Sequence, residues 1–319
     1  MTGGTISEKT DPKTGASVIS GSPADELVQS VPNITKIANL KIVEYSNIDS
    51  SQMTPEIWNG LSQTVDELLE DKSIVGAVVT HGTDTMAEGS YFLDLTLKSN
   101  KPVVFTGAMK NASDPYSDGP PNVINAMHQV LSKESNWGVT LTLNSYINSA
   151  RDVVKINTIN PQAFNSYDKG YLGYVFEDKI YKINDTLYHV KMPRPKKIHK
   201  VDIYVDYAGA DGNAIRYLAD NGSDAIIIES LGAGNTNKAV YENILYALKK
   251  DVLVVITTSV PSGGVFPIYG DIGGGEMLKA KGCILSNFLR ANKARILMIV
   301  ALDHYGKNKK ILSKLFEKP

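Results

Sequence analysis

Residues 74–85 read Ile74-Val75-Gly76-Ala77-Val78-Val79-Thr80-His81-Gly82-Thr83-Asp84-Thr85, an apolar run that ends in a glycine-softened turn bearing hydroxyl and carboxylate groups. An apolar stretch of this length without alternation is the pattern of a parallel strand buried on both faces. A helical pattern follows over residues 84–97, so residues 81–84 fall just past the carboxyl end of a strand and just before a helix. In open α/β sheets that is where small ligands bind.

Working outward, residues 40–45, 103–106 and 138–143 also read as strands, and residues 55–69 and 122–131 as helices. Thr54 before Pro55 supplies a helix cap followed by proline at the first helical position, and Ser22-Pro23-Ala24-Asp25 predicts the start of a further short helix. A second alternation runs through strands at 201–205, 225–228 and 252–257. Between the two lies Lys191-Met192-Pro193-Arg194-Pro195-Lys196-Lys197-Ile198-His199-Lys200, whose prolines and clustered charge oppose regular structure. The expected architecture is α/β with two domains: a larger N-terminal, doubly wound, mainly parallel sheet with flanking helices over residues 1–190, a linker over 191–200, and a smaller C-terminal α/β domain over 201–319.

The length of 319 residues agrees, because single hydrophobic cores stop growing below that size. A net charge of −1 gives no electrostatic footprint for nucleic acid, and no apolar run is long enough to span a membrane. The basic run at 191–200 lacks interleaved aromatics and reads as a linker rather than a nucleic-acid patch. Cys283 is the only cysteine, so no disulfide within the chain and no thiolate metal cluster can form; it reads as a small core hydrophobe. Besides His81, the histidines are His128, His189, His199 and His304, which show no metal-ligand spacing. Neither a Gly-x-Ser-x-Gly elbow nor a Walker phosphate loop occurs.

Two threonine-bearing turns stand out, Thr2-Gly3-Gly4-Thr5-Ile6 and Thr80-His81-Gly82-Thr83-Asp84-Thr85. Hydroxyl nucleophiles on tight turns, with a carboxylate beside the second, suit amide hydrolysis. In that reaction a nucleophile must be activated, a tetrahedral oxyanion must meet fixed donors, and the leaving ammonia must receive a proton. Phe105-Thr106-Gly107-Ala108-Met109, Ser117-Asp118-Gly119-Pro120, Arg151-Asp152-Val153-Val154-Lys155 and Lys293-Ala294-Arg295 follow in order. With these motifs spanning nearly the whole sequence, the chain resembles the asparaginase/glutaminase family of threonine amidohydrolases, closest to its type II members.

The resemblance implies an L-asparaginase that hydrolyses the side-chain amide of L-asparagine to L-aspartate and ammonia, with glutaminase side activity and no cofactor or metal. It implies catalytic roles for Thr5, Thr83, Asp84 and Lys155: Thr5 and Thr83 as nucleophiles, Lys155 as base and Asp84 as its orienting carboxylate. Ser51 and Gln52 match a serine–glutamine pair that holds the substrate's α-carboxylate and α-ammonium, with Ser50 leaving the register open by one. Gly82 and Ala108 contribute backbone groups. Asn235, in Gly232-Ala233-Gly234-Asn235, matches a residue that completes a neighbouring subunit's site, which implies a homotetramer built from close dimers. The acidic residue that accompanies it stays open among Tyr269, Asp271 and Glu276.

Two departures bear on activity. The family's first strand precedes the Thr-Gly-Gly-Thr turn, whereas Met1 directly precedes Thr2 here, so either the true start lies upstream or the first nucleophile is poorly anchored. Compartment follows from the same segment: periplasmic or secreted if an upstream stretch carries a signal peptide, otherwise cytoplasmic. The lid loop that usually supplies a tyrosine has none over residues 7–22, and Ala16 takes its place. The alternatives are an amino-acid-binding protein without turnover and the ammonia-releasing subunit of the archaeal tRNA-dependent amidotransferase. The latter carries an extra amino-terminal domain for which these residues leave no room.

Overall fold

The computed structural model describes residues 1–19, 28–31, 33–186 and 190–317. The helix expected from Ser22 and the side chain of His189 lie outside the described residues. The chain divides into two compact units, Met1–Thr186 and Leu187–Pro319.

In the first unit, strands β1 (Glu8–Thr10) and β2 (Ser17–Ile19) form an antiparallel hairpin. After α1 (Ile34–Ile37) and α2 (Pro55–Leu69), β3 (Ala77–Thr80), α3 (Met86–Thr96), β4 (Val103–Thr106), α4 (Gly119–Leu131) and β5 (Val139–Leu143) build the parallel part of the main sheet. The chain then reverses through Asn144 and Ser145, both at positive φ (49° and 67°), as a two-residue hairpin turn requires. Strand β6 (Tyr146–Ser149) returns antiparallel to β5. A short pair, β7 (Val154–Lys155) and β8 (Phe164–Asn165), precedes β9 (Gly173–Phe176) and β10 (Lys179–Lys182), which complete the order β10-β9-β6-β5-β4-β3.

Every residue of β4 and β5 is buried, which fits their unbroken apolar and threonine content at the centre of the sheet. Helix α2 has the predicted bounds, and Thr54 Oγ1 accepts the Ile57 N–H at 3.4 Å as its cap. Helix α4 begins at Gly119 rather than at residue 122. Prolines 120 and 121 are tolerated there because the first turn needs no N–H donors.

Two expectations are corrected at the sheet's edge. Residues 40–45 form no strand; Val43 O accepts the Met1 ammonium and Tyr45 N–H donates to Met1 O. A strand exists only where a neighbour fills its ladder, and β3 is an edge strand among the described residues. Residues 74–76 are likewise outside β3, which starts at Ala77; the Ile74 N–H bonds back to Asp71 O in a turn.

The second unit holds a four-stranded parallel sheet, β11 (Val201–Val205), β12 (Ala225–Ser230), β13 (Leu253–Thr258) and β14 (Ile284–Leu285), in sequential order. Its helices are α5 (Asn213–Asp220), α6 (Lys238–Lys249), α7 (Gly275–Ala280), α8 (Ala291–Tyr305) and α9 (Lys309–Phe316). Ile226, Ile228, Val254 and Ile256 pack against Val240 and Ile244 in one core. Cys283 is buried there, and that burial pushes its thiol up to about 12, so it acts as packing rather than as a nucleophile. Residues 191–200 form no helix or strand. No helix among the described residues is long and apolar enough to cross a membrane.

Candidate active site

The helix expected over 84–97 starts at Met86, so Thr83 and Asp84 remain in the turn between β3 and α3. There Lys155, on the short strand β7, reaches both. Its Nζ donates to Thr83 Oγ1 at 2.9 Å and to Asp84 Oδ1 at 2.6 Å. Thr83 is buried and the lysine half-buried, whereas the Asp84 side chain is 62% exposed. The trio therefore opens to solvent on its carboxylate side. A hydroxyl, an amine and a carboxylate in line within hydrogen-bond reach can pass a proton from the hydroxyl along the chain of groups.

The turn is fixed by Ser50, the residue that left the serine–glutamine register open, and by Trp58, to which the sequence gave no role. Ser50 Oγ accepts the Asp84 N–H at 3.2 Å, and Ser50 O accepts from Thr85 Oγ1 at 2.7 Å. Ser50 is buried, while Ser51 and Gln52 stay exposed in the same short turn, which Asp49 caps through the Ser51 N–H. Behind the loop, Trp58 Nε1–H donates to His81 Nε2 at 3.2 Å, so the His81 proton sits on Nδ1 and is given to Gly82 O at 2.8 Å. Burial pushes the imidazole down to about 4, with the Gly82 bond opposing the shift, so this ring is neutral.

The Thr5 turn packs directly on this loop. Gly4 has φ +84°, and a Cβ built on it would stand 2.2 Å from Gly82 Cα. The glycines of both motifs are thus needed for one close approach of two backbones. Thr5 opens a single 3-10 turn (Thr5–Ser7) whose Ile6 packs with Ala108, Val123 and Met127. Ala108 lies in the loop after β4, and the Asp118 carboxylate holds that loop by accepting the N–H groups of Met109 (3.0 Å) and Lys110 (2.9 Å) and the Asn122 amide (3.1 Å). Asn122 also donates to Gly107 O at 2.9 Å. Asp118 was legible only as a member of a motif and Asn122 only as the expected start of a helix; their convergence on one loop depends on α4 lying beside β4.

The segment after Thr5, expected as a lid loop, forms the β1–β2 hairpin over its described part. Ala16 is exposed near the hairpin's turn, with its carbonyl accepting the Asp11 N–H. Asn111 ties the hairpin to the β4 loop by donating to Thr10 Oγ1 and Ser17 Oγ. Asn235 lies in the second unit, in a tight turn closed on Leu231, and its Oδ1 is buried without a hydrogen-bond partner among the described residues. Among the described residues no group of three or more His, Cys, Asp or Glu could hold a metal ion.

Residues 1–188 match the family model described as "Asparaginase, N-terminal", and residues 200–316 match "Glutaminase/Asparaginase C-terminal domain". The chain belongs to the asparaginase/glutaminase family. Among its relatives, L-asparaginase 2 of Escherichia coli (strain K12) is 36% identical over 310 residues, covering 94% of this chain and 87% of that protein. A probable periplasmic L-asparaginase of Haemophilus influenzae is 34% identical, covering 99% and 90%. The fold of this asparaginase-family chain superposes on the crystal structure of a probable cytoplasmic L-asparaginase from Campylobacter jejuni with a TM-score of 0.89 and 35% identity, covering 100% of this chain and 98% of that one. These relatives include proteins described as periplasmic and as cytoplasmic, so family membership leaves the compartment undecided.

Proposed function

We propose that this protein is an L-asparaginase, hydrolysing the side-chain amide of L-asparagine to L-aspartate and ammonia, with L-glutamine as a second substrate. The observation that carries the reading is Lys155 Nζ within 2.9 Å of Thr83 Oγ1 and 2.6 Å of Asp84 Oδ1, in a chain whose two halves both match the family. In the hydrolysis, Lys155 is assigned the base that takes the Thr83 proton, and Asp84 the carboxylate that holds the lysine in place. Thr5 is assigned the other hydroxyl of the site, and its turn is anchored on Gly82.

Ser51 and Gln52 are assigned to the substrate's α-carboxylate and α-ammonium. Their exposure supports this, as does the engagement of Ser50 with the Asp84 loop, which leaves the next hydroxyl in the turn for a ligand. The exposed face of Asp84 suits it to the same ammonium. Gly82 and Ala108 are assigned backbone contacts near the scissile amide. The reading includes a homotetramer in which Asn235 completes a neighbouring subunit's pocket; its buried, unpaired Oδ1 is an acceptor that an added partner would satisfy.

The test is ammonia release from L-asparagine and L-glutamine, measured beside calorimetric binding of L-aspartate. Release from asparagine that is lost in Thr83→Val supports the reading. Binding without release would make the chain a ligand-binding relative of the family instead.

A further inference from the structure

Two rings buried behind the Thr83 turn are joined to it by a line of hydrogen bonds. Trp58 on α2 is buried, and His81 is fully so. A Cβ built on Gly89 of α3 would stand 2.7 Å from Trp58 Nε1, so that glycine clears the space in which the indole edge lies. The indole N–H donates to His81 Nε2 at 3.2 Å, and His81 Nδ1–H donates to Gly82 O at 2.8 Å. The His81 backbone N–H donates to Thr106 O at 2.9 Å, and its ring leans on Phe105 with centroids 5.8 Å apart. Main chain and both ring nitrogens of this residue are therefore held.

An indole N–H only donates, so it needs a bare nitrogen opposite it. A neutral imidazole has one bare nitrogen and one N–H, and Trp58 thereby selects the tautomer protonated at Nδ1. The other tautomer sets two N–H groups against each other and takes this donor from Gly82 O. The consequence reaches Thr83 through the backbone. Gly82 C=O and Thr83 N–H belong to one planar peptide, so a donor on the carbonyl fixes the plane from which Thr83 departs. On the other side of Thr83, Ser50 Oγ accepts the Asp84 N–H at 3.2 Å and fixes the next plane. Between these two held planes, Thr83 Oγ1 lies 2.9 Å from Lys155 Nζ.

We propose that His81, kept in one tautomer by Trp58, is a positioning residue for Thr83: it holds the Gly82 carbonyl so that the Thr83 hydroxyl stays in line with Lys155. This role rests on the reading of Thr83 as a reacting hydroxyl. A histidine that only filled the interior would need its volume and its ring faces, whereas the positioning role needs a donor at the Nδ1 position. Asparagine and glutamine separate the two requirements. The asparagine amide nitrogen falls where Nδ1 is, and the glutamine amide falls where Nε2 is. His81→Asn therefore keeps a donor for Gly82 O, while His81→Gln keeps a partner for Trp58 and loses that donor.

The test measures kcat and KM for ammonia release from L-asparagine in the full chain, beside urea denaturation of each variant. His81→Gln should lower kcat about a hundredfold, the loss expected from a shift of about 1 Å, and should change KM by less than about threefold. His81→Asn should keep kcat within about fivefold of wild type although it removes more volume. Trp58→Phe should lower kcat by itself and add nothing in the His81→Asn background, because an asparagine donor has no tautomer to select. In histidine-labelled protein at neutral pH, nitrogen-15 NMR should show His81 protonated at Nδ1, and a mixture of tautomers after Trp58→Phe. The role is overturned if His81→Gln keeps kcat within about threefold of wild type, if His81→Asn loses as much as His81→Gln, or if the ring carries its proton on Nε2. Wild-type ammonia release that Thr83→Val abolishes and His81→Gln leaves intact would sink the positioning role alone. A wild type that releases no ammonia would sink the assignment of Thr83 and this role with it.

Discussion

Lys155 Nζ donates to Thr83 Oγ1 at 2.9 Å although 72 residues separate the two in sequence. The contact exists because β7 and β8, a ladder of two residue pairs, hold Lys155 at the carboxyl end of β3. A small piece of antiparallel structure thus delivers the amine to a turn of the parallel sheet.

Removing either partner should stop turnover without unfolding the protein. Thr83→Val and Lys155→Met should each lower kcat roughly a hundred- to ten-thousand-fold, and the double variant should be little worse than either single one, because the groups act as one unit. Ammonia release and thermal melting check this. A folded Lys155→Met with near wild-type turnover would remove the lysine from the proton path.

Gly4→Ala should be severely destabilising, by about 3 kcal/mol or more. The new Cβ meets Gly82 Cα at 2.2 Å, and φ of +84° is unfavourable for any L side chain. Urea denaturation gives the stability change. Gly15→Ala is the control, since that glycine has φ +71° but open space around it, and it should cost only about 1 kcal/mol.

Asp118→Ala should lower both stability and activity. Its carboxylate accepts the Met109 and Lys110 amides and the Asn122 amide, and the loss leaves donors in the Ala108 loop without an acceptor, costing about 2–4 kcal/mol. A fall in kcat together with a rise in KM for asparagine is expected. Unchanged kinetics in a merely destabilised variant would show that the loop's position is irrelevant to the reaction.

His81 should make stability depend on pH in mildly acid solution. The folded protein keeps the ring neutral down to about pH 4, because burial opposes its charge, whereas the unfolded chain takes up a proton near pH 6.5. Between these values unfolding binds a proton, so stability falls as pH falls, by on the order of 3 kcal/mol in all, and levels off below about 4. Urea midpoints from pH 7.5 to 4 measure the slope, and His81→Gln should flatten its contribution.

If Asn235 completes a neighbouring site, an inactive Thr83→Val chain mixed with an inactive Asn235→Ala chain should recover activity after subunit exchange. Failure despite exchange, verified by mass-tagged subunits, would count against shared sites.

The sequence by itself determined the element types and the chemistry. Continuous apolar runs such as Val103–Thr106 had to be central strands because polar faces are absent, and Thr54-Pro55 had to open a helix because the hydroxyl caps an N–H while proline needs none. The threonine motifs, Asp84 and Lys155 were legible because their residue types and order carry the family's chemistry. Tertiary structure alone decided the rest. Residues 40–45 have strand composition yet form none, since a ladder needs a neighbour and the bonds of Val43 and Tyr45 to Met1 make a single step of one. Ser50 rather than Ser51 braces Asp84, a one-residue choice set by which hydroxyl the turn points inward. Trp58 and Asp118 anchor their loops through bonds that form only when α2 and α4 pack beside the strands. Local pattern records what each residue can do; which partner it meets is fixed by contacts between segments far apart in the chain, and no short stretch of sequence contains them.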